Sequence, residues 1–395
     1  MGKPITDRVT WVGKIDWELK RFHGDEYSTD HGSSYNSYLI RDGKTILLDT
    51  VWQPFEAEYI QALKDEVDLA ELDAIICQHA EIDHSGALAE LVRERPDIPI
   101  YCTANGVKII KGMFHGDWNF QVVKTGDMIE LDSGTLTFVE APMLHWPDTM
   151  FTYYSADEIL FSNDGFGQHY ASQFRYNDEV DQAELYREAR KYYANILTPF
   201  SAQVTRKINE ILAMNLPLKM ICPSHGVIWR ENPAQIIEQY LTWADKFQQN
   251  QITIVYDSMW HSTRLMAEAI GSGISKADPS VEVKIFNAAK SDKNDILTEI
   301  FCSKAVLVGA YTINNGISYA ISGILEMVCG LKFKNKKAAA FGSYGWSGEG
   351  NKHITELLRR GGFEIVNEGI KLLWKPDEAA LEQCSEFGAE FVKAL

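Results

Sequence analysis

Ala74-Ile75-Ile76-Cys77-Gln78-His79-Ala80-Glu81-Ile82-Asp83-His84-Ser85-Gly86 joins a short apolar, strand-like run to a loop with four ionisable side chains in six positions. A loop this dense lets its side chains converge on one point or on two neighbouring points. Three later loops add to it, each just beyond an apolar run: Met143-Leu144-His145-Trp146-Pro147-Asp148, Phe161-Ser162-Asn163-Asp164-Gly165 and Cys222-Pro223-Ser224-His225-Gly226. One histidine beside a strand is commonly a structural residue, and Asp164 alone reads as a turn former. Together His79, Glu81, Asp83, His84, His145, Asp164 and His225 supply four imidazoles and three carboxylates. That is too many for one four-coordinate zinc and suits two metal ions. Asp164 is the expected bridge, because a carboxylate has two oxygens to share.

These loops belong to a first segment with many short strands, among them Ser37–Ile40, Thr45–Leu48, Pro99–Cys102, Leu136–Val139, Phe151–Tyr154, Ile159–Phe161 and Lys219–Cys222. Helices such as Ala87–Arg93 and Gln182–Asn195 are interspersed. Most of the strands run into polar loops, the arrangement of a site built on one rim of a sheet. Beyond Asn232 a helical pattern opens with Pro233 in its first turn and fades into Gln248-Gln249-Asn250-Gln251. A new apolar strand starts at Ile252, which places a domain boundary near residue 250, with domains at 1–250 and 251–395. The second segment alternates strand and helix from Ile252–Tyr256 to Lys352–Arg360. That alternation predicts an open parallel sheet with helices on both faces and a ligand at the carboxyl ends of its strands.

The loop after Ile252–Tyr256 reads Asp257-Ser258-Met259-Trp260-His261-Ser262-Thr263 and leads into a helix. It is neither GxxxxGK nor GxGxxG. Hydroxyls of Ser258, Ser262 and Thr263, with backbone N–H groups at a helix start, suit a phosphate monoester. The same residues serve equally as an ordinary N-cap. Two further loops decide the matter: Ala310-Tyr311-Thr312-Ile313-Asn314-Asn315-Gly316 and Gly342-Ser343-Tyr344-Gly345-Trp346-Ser347-Gly348. Thr312, Asn314, Asn315, Gly316, Ser343, Gly345 and Ser347 offer amide, hydroxyl and backbone groups for a polar ring edge. Trp260, Tyr344 and Trp346 offer flat faces for stacking, beside Met259 and His261. The combined loops read as a site for FMN.

The H-x-E-x-D-H spacing resembles the metallo-β-lactamase fold, whose zinc hydrolases typically show H-x-H-x-D-H. With Glu81 in place of the second histidine, the first segment looks like the diiron domain of flavodiiron proteins. A carboxylate there makes the site harder and more anionic, favouring an ion that can reach the ferric state. The second segment resembles flavodoxin, and the order of the two matches flavodiiron proteins across essentially the whole chain. The resemblance implies an α/β architecture, a metallo-β-lactamase-like αββα sandwich followed by a flavodoxin-like parallel-sheet domain. It also implies FMN and two iron ions as cofactors. His79, Glu81 and His145 then hold one iron, Asp83, His84 and His225 the other, and Asp164 bridges. His84 is the ligand that some relatives keep out of the coordination sphere. His23, His169 and Tyr193 are candidates for orienting ligands. The implied activity is reduction of O2 to water, of NO to N2O, or of both. Electrons would come through FMN from a rubredoxin-like donor, in a head-to-tail homodimer or a dimer of dimers. A dizinc hydrolase with a flavodoxin-like domain is the alternative reading, and Glu81 and the aromatic loops speak against it.

Composition agrees with a folded protein. Of 395 residues, 45% are hydrophobic and 24% charged, which excludes a disordered chain. A net charge of −17 disfavours nucleic acid and anionic membrane surfaces as partners. No run approaches a membrane span or a signal peptide. The six cysteines form no CxxC pair and read as buried thiols of a cytoplasmic protein. Without such pairs, the chain looks like the two-domain form that needs a separate electron donor.

Overall fold

The computed structural model describes residues 2–395. It divides into two compact units: residues up to Tyr192 with Phe200–Leu241, and Tyr193–Pro199 with Thr242–Leu395. The second unit thus begins earlier than residue 251 and takes in a short excursion, the π-helical turn Tyr193–Leu197 together with Thr198 and Pro199. The sequence hides this because Gln182–Tyr192 and the turn read as one continuous helical pattern.

The first unit is built on two sheets. One runs Lys3–Pro4, Val9–Trp11, Tyr38–Arg41, Thr45–Leu48, Ala74–Ile76, Ile100–Cys102, Phe120–Val122. The other runs Met128–Glu130, Thr135–Glu140, Met150–Tyr154, Ile159–Asn163, Met220–Pro223. Tyr38, Ile40, Ile46, Leu48 and Ile76 of the first sheet share one buried core with Leu136, Phe138, Tyr154, Phe161 and Cys222 of the second. Leu39, Leu47 and Ile75 alternate to the opposite face and are buried too, so the first sheet is covered on both sides. Each such side chain contributes about 1.5–3 kcal/mol. That packing fixes the strand ends from which the ligand loops leave.

Ile159–Asn163 and Met220–Pro223 pair in parallel, with Asn163 opposite Pro223. Asp164 and His225 therefore emerge side by side. Met150 N–H donates to the Gln78 carbonyl at 2.9 Å and ties the His79 loop to the second sheet. One local expectation needs revision. The dense loop is not irregular throughout: Ile82–Ser85 forms one helical turn, so Asp83 and His84 ride on a helix start that follows Glu81.

The second unit has a central sheet in the order Glu282–Asn287, Gln249–Tyr256, Ser303–Ile313, Lys337–Tyr344, then Glu364–Ile365 and Ile370–Leu373 beside the last of these. All of these pairings are parallel. The strand order reverses at Gln249–Tyr256, the switch point at whose carboxyl end open α/β sheets bind ligands. Buried Ile252, Ile254, Leu307, Ala339 and Phe341 pack with Met266, Ile270 and Ile274 of the helix Ser262–Ala277. The edge pair Glu364–Ile365 and Ile370–Leu373 does not stand out in the sequence, being short and flanked by polar residues. Among the described residues no helix is long and apolar enough to cross a membrane. All six cysteines are free, five of them buried and Cys329 partly so.

Candidate metal centre and nucleotide pocket

The structure brings all seven predicted ligands together, in two groups. In the first, His79 Nε2 and His145 Nε2 lie 3.3 and 3.4 Å from Glu81 Oε2, and 3.6 and 3.3 Å from Asp164 Oδ2. In the second, His84 Nε2 and His225 Nε2 lie 3.3 and 3.1 Å from Asp83 Oδ2, and 3.1 and 3.4 Å from Asp164 Oδ1. Asp164 offers one oxygen to each group. The site is buried except at one corner: His79 is fully covered and Asp83, His84, Asp164 and His225 are 1–2% exposed, while the side chains of Glu81 and His145 are 13% and 11% exposed.

The donor chemistry fits two cations. Both oxygens of Asp83 and of Asp164, and both nitrogens of His84, are buried without a hydrogen-bond partner among the described residues. Burying carboxylates unsatisfied is costly, and bound cations remove that cost. Protons are the alternative occupant. Burial opposes a charged ring at His84 and His145, yet Asp83 and Asp164 beside His84, and Asp164 and Glu81 beside His145, push both up to about 9. At His79 burial acts in the same sense and is overcome by hydrogen bonds to Asp148 and Glu81, which raise it well above the ordinary range. Burial would raise Asp164, but His84 and His145 hold it well below the usual carboxylate range.

A scaffold of buried polar residues positions these groups. Asp49 accepts the Gln78 N–H at 2.7 Å, the Gln78 side-chain amide at 3.1 Å and the Asn163 amide at 3.3 Å. It thereby links the loops before His79 and before Asp164. His23 Nε2 lies 3.2 Å from Glu81 Oε1, leaving Oε2 to face His79 and His145. His169 is buried against His225, with ring centroids 4.9 Å apart, and bonds Ser33 through Nδ1 at 2.8 Å. Tyr193 is not part of this shell. It packs on Trp243 and Phe301 in the second unit, because the π-helical turn carries it there.

The second unit holds a cavity of about 620 Å³ at the predicted strand ends. Ser258, Met259, Trp260, Ser262, Thr312, Asn314, Ser343, Tyr344, Gly345 and Trp346 line it. His261, Thr263, Asn315, Gly316 and Ser347 do not. Thr263 is buried with its hydroxyl against Ser343 Oγ at 2.9 Å, the Asn315 carbonyl meets His353, and Gly316 pairs with Ile313 in a short hairpin. Tyr311, Ile313, Trp374 and Lys375 also line the cavity. Trp374 follows the edge strand Ile370–Leu373, and its N–H donates to the Tyr344 carbonyl at 2.8 Å. Its signal in the sequence is weak: Ile370-Lys371-Leu372-Leu373 is a short run broken by Lys371, and Trp374 follows it. His261 makes no side-chain cap to the helix Ser262–Ala277, and Ser258 Oγ, which lines the cavity, accepts the Arg264 N–H at 3.4 Å, so the helix start lies beside the cavity. Trp260 and Trp346 are 80% and 85% exposed, a placement that core packing does not explain. Open aromatic faces beside a helix start rich in hydroxyls fit a flavin mononucleotide.

Residues 34–226 match the family described as ODP family beta lactamase, and residues 254–388 match flavodoxin. Anaerobic nitric oxide reductase flavorubredoxin of Escherichia coli O1:K1 is 54% identical over 391 residues, 98% of this chain and 81% of that protein. The chain belongs to the flavodiiron protein family. Among solved structures, this flavodiiron protein is similar to rubredoxin oxygen:oxidoreductase of Desulfovibrio gigas, with 36% identity, a TM-score of 0.95 and coverage of 100% and 99% of the two chains. It is also similar to the flavodiiron protein of Giardia intestinalis, with 34% identity, a TM-score of 0.94 and coverage of 100% and 96%. Nothing among these relatives supports the hydrolase alternative, so this flavodiiron protein is an oxidoreductase.

Proposed function

We propose that the chain reduces nitric oxide to nitrous oxide and dioxygen to water at a non-haem diiron site in the first unit, with electrons entering through FMN in the second. Its 54% identity to nitric oxide reductases, against 36% to a rubredoxin:oxygen oxidoreductase, favours nitric oxide as the preferred gas. The observation that carries the reading is the sharing of Asp164 between two ligand groups, one of which contains Glu81.

His79, Glu81 and His145 would hold one iron, Asp83, His84 and His225 the other, with Asp164 between them. His84 belongs in the set because its Nε2 turns inward beside Asp164. Iron and FMN supply electron transfer, chemistry that no side chain here performs. The protein's part is geometric and electrostatic. Carboxylates offset the charge of the ions, His23 directs Glu81, and the buried surround limits water. In the other domain, Ser258 and Ser262 would grip phosphate, Thr312 and Asn314 would read the ring edge, and Trp260, Tyr344 and Trp346 would stack.

The donor is a rubredoxin-like protein. The exposed aromatic rim of Trp260 and Trp346 supports a head-to-tail homodimer, or a dimer of dimers, in which one copy's flavin faces its partner's irons. The free cysteines support a cytoplasmic setting. The test is to reduce the protein anaerobically and supply each gas separately. Faster consumption of nitric oxide, with nitrous oxide formed, is expected; consumption of neither gas would overturn the proposal.

A further inference from the structure

The rings of His79 and His225 point their Nε2 atoms into different ligand groups, and what stands behind each ring differs. His79 Nδ1 lies 3.1 and 3.2 Å from the two oxygens of Asp148. That carboxylate is 2% exposed and also accepts the Ala80 N–H at 2.7 Å. Its backbone is held in turn by the Thr103 hydroxyl, which donates to the Asp148 carbonyl at 3.0 Å. His225 Nδ1 donates instead to the backbone carbonyl of Ser34 at 2.7 Å. His84 Nδ1 has no hydrogen-bond partner among the described residues. Asp49, the other buried carboxylate nearby, spends its oxygens on Gln78 and Asn163 and hydrogen-bonds no ligand ring. One group is therefore backed by a full negative charge and the other by a neutral dipole.

We infer that Asp148 makes the two metal positions inequivalent, as a positioning residue that favours the ferric state at the iron held by His79, Glu81 and His145. Its hydrogen bond fixes the His79 tautomer with the Nε2 lone pair inward, and its charge strengthens that ring as a donor. The iron held by Asp83, His84 and His225 has no such support. The inference rests on the diiron reading above.

The test is a reductive titration of protein loaded with 57Fe, followed by Mössbauer spectroscopy, on the full chain and on Asp148→Asn. The variant keeps the shape of the side chain and removes the charge. The wild type is expected to show two ferric components reduced in separate steps. In the variant the ferric preference of one component falls about tenfold, the lower end of what losing such a partner costs. That equals about 59 mV for one electron. The other component stays in place, as do the flavin absorption and far-ultraviolet circular dichroism. A variant in which both components shift equally, or neither does, overturns the inference. Should the variant not fold, Thr103→Val, which removes the hydroxyl holding the Asp148 backbone, decides: a smaller shift in the same direction confined to one component supports the inference, and an equal shift of both components or of neither overturns it. A wild type without two irons would overturn the diiron reading itself, a result distinct from two irons that reduce as one.

Discussion

Asp164 sets its Oδ1 3.1 Å from His84 Nε2 and turns Oδ2 the other way, into the group of His79 and His145. One residue at a strand end thus joins two ligand groups that both draw on the loop 79–84. Its place follows from the parallel pairing of Ile159–Asn163 with Met220–Pro223. The metal chemistry depends on that register as much as on the ligands.

Glu81 decides which metal the centre prefers. Glu81→His restores H-x-H-x-D-H and removes one of the three carboxylates. Zinc content should rise and iron content fall when both metals are supplied. Gas reduction should drop by more than the roughly 10–100-fold that loss of an outer partner costs. Metal analysis beside gas-electrode assays checks this, and unchanged iron with unchanged turnover would contradict it.

Trp374 should stack on the flavin although it lies outside the three loops to which the sequence points. It lines the cavity and lies near Trp346, with ring centroids 6.5 Å apart. A stacking contact contributes about 0.5–1.5 kcal/mol. Trp374→Ala should therefore weaken FMN binding about two- to thirteenfold, measured by quenching of flavin fluorescence on titrating apoprotein. Trp374→Phe should recover most of the loss.

The ligand residues were legible in the sequence because strand ends deliver them and their density is unusual. Of the groups that orient them, His23 and His169 were among the sequence candidates, whereas the carboxylates Asp148 and Asp49 were not. Asp148 meets His79 across 69 positions and Asp49 meets Asn163 across 114, contacts that only the paired sheets create. The flavin loops were legible for the same reason as the ligands. Within them, the hydroxyl of Thr263 lies against Ser343 Oγ, a cross-loop contact invisible to spacing.

Asp49→Ala tests the scaffold directly. It strands the buried Gln78 N–H and two amide groups, at about 1–3 kcal/mol for each buried donor left unpaired. The variant should melt lower and lose iron on dialysis faster than the wild type, while FMN remains bound. Melting curves with iron analysis after dialysis measure both effects.

Glu188 predicts a pH dependence of stability unrelated to the metals. It is fully buried beside Arg187, and burial pushes its carboxyl up to about 7 against the opposing pull of Lys191 and Arg187. The unfolded chain ionises this group near pH ~4. The folded state thus holds the extra proton between those values. The stability it contributes is full below that range and is lost as pH rises through about 7, amounting to roughly 3 kcal/mol. Glu188→Gln should raise the melting temperature more at pH ~8 than at pH ~5; an equal shift at both would contradict the assignment.

A redox-active pair of irons and a flavin in one chain leave a composition and a colour that are simple to read. Metal analysis and a visible spectrum of the protein purified without added metal should give two irons and one FMN per chain, with flavin bands that bleach on reduction and return on exposure to nitric oxide or dioxygen. Zinc in the site with no flavin bound would contradict that expectation.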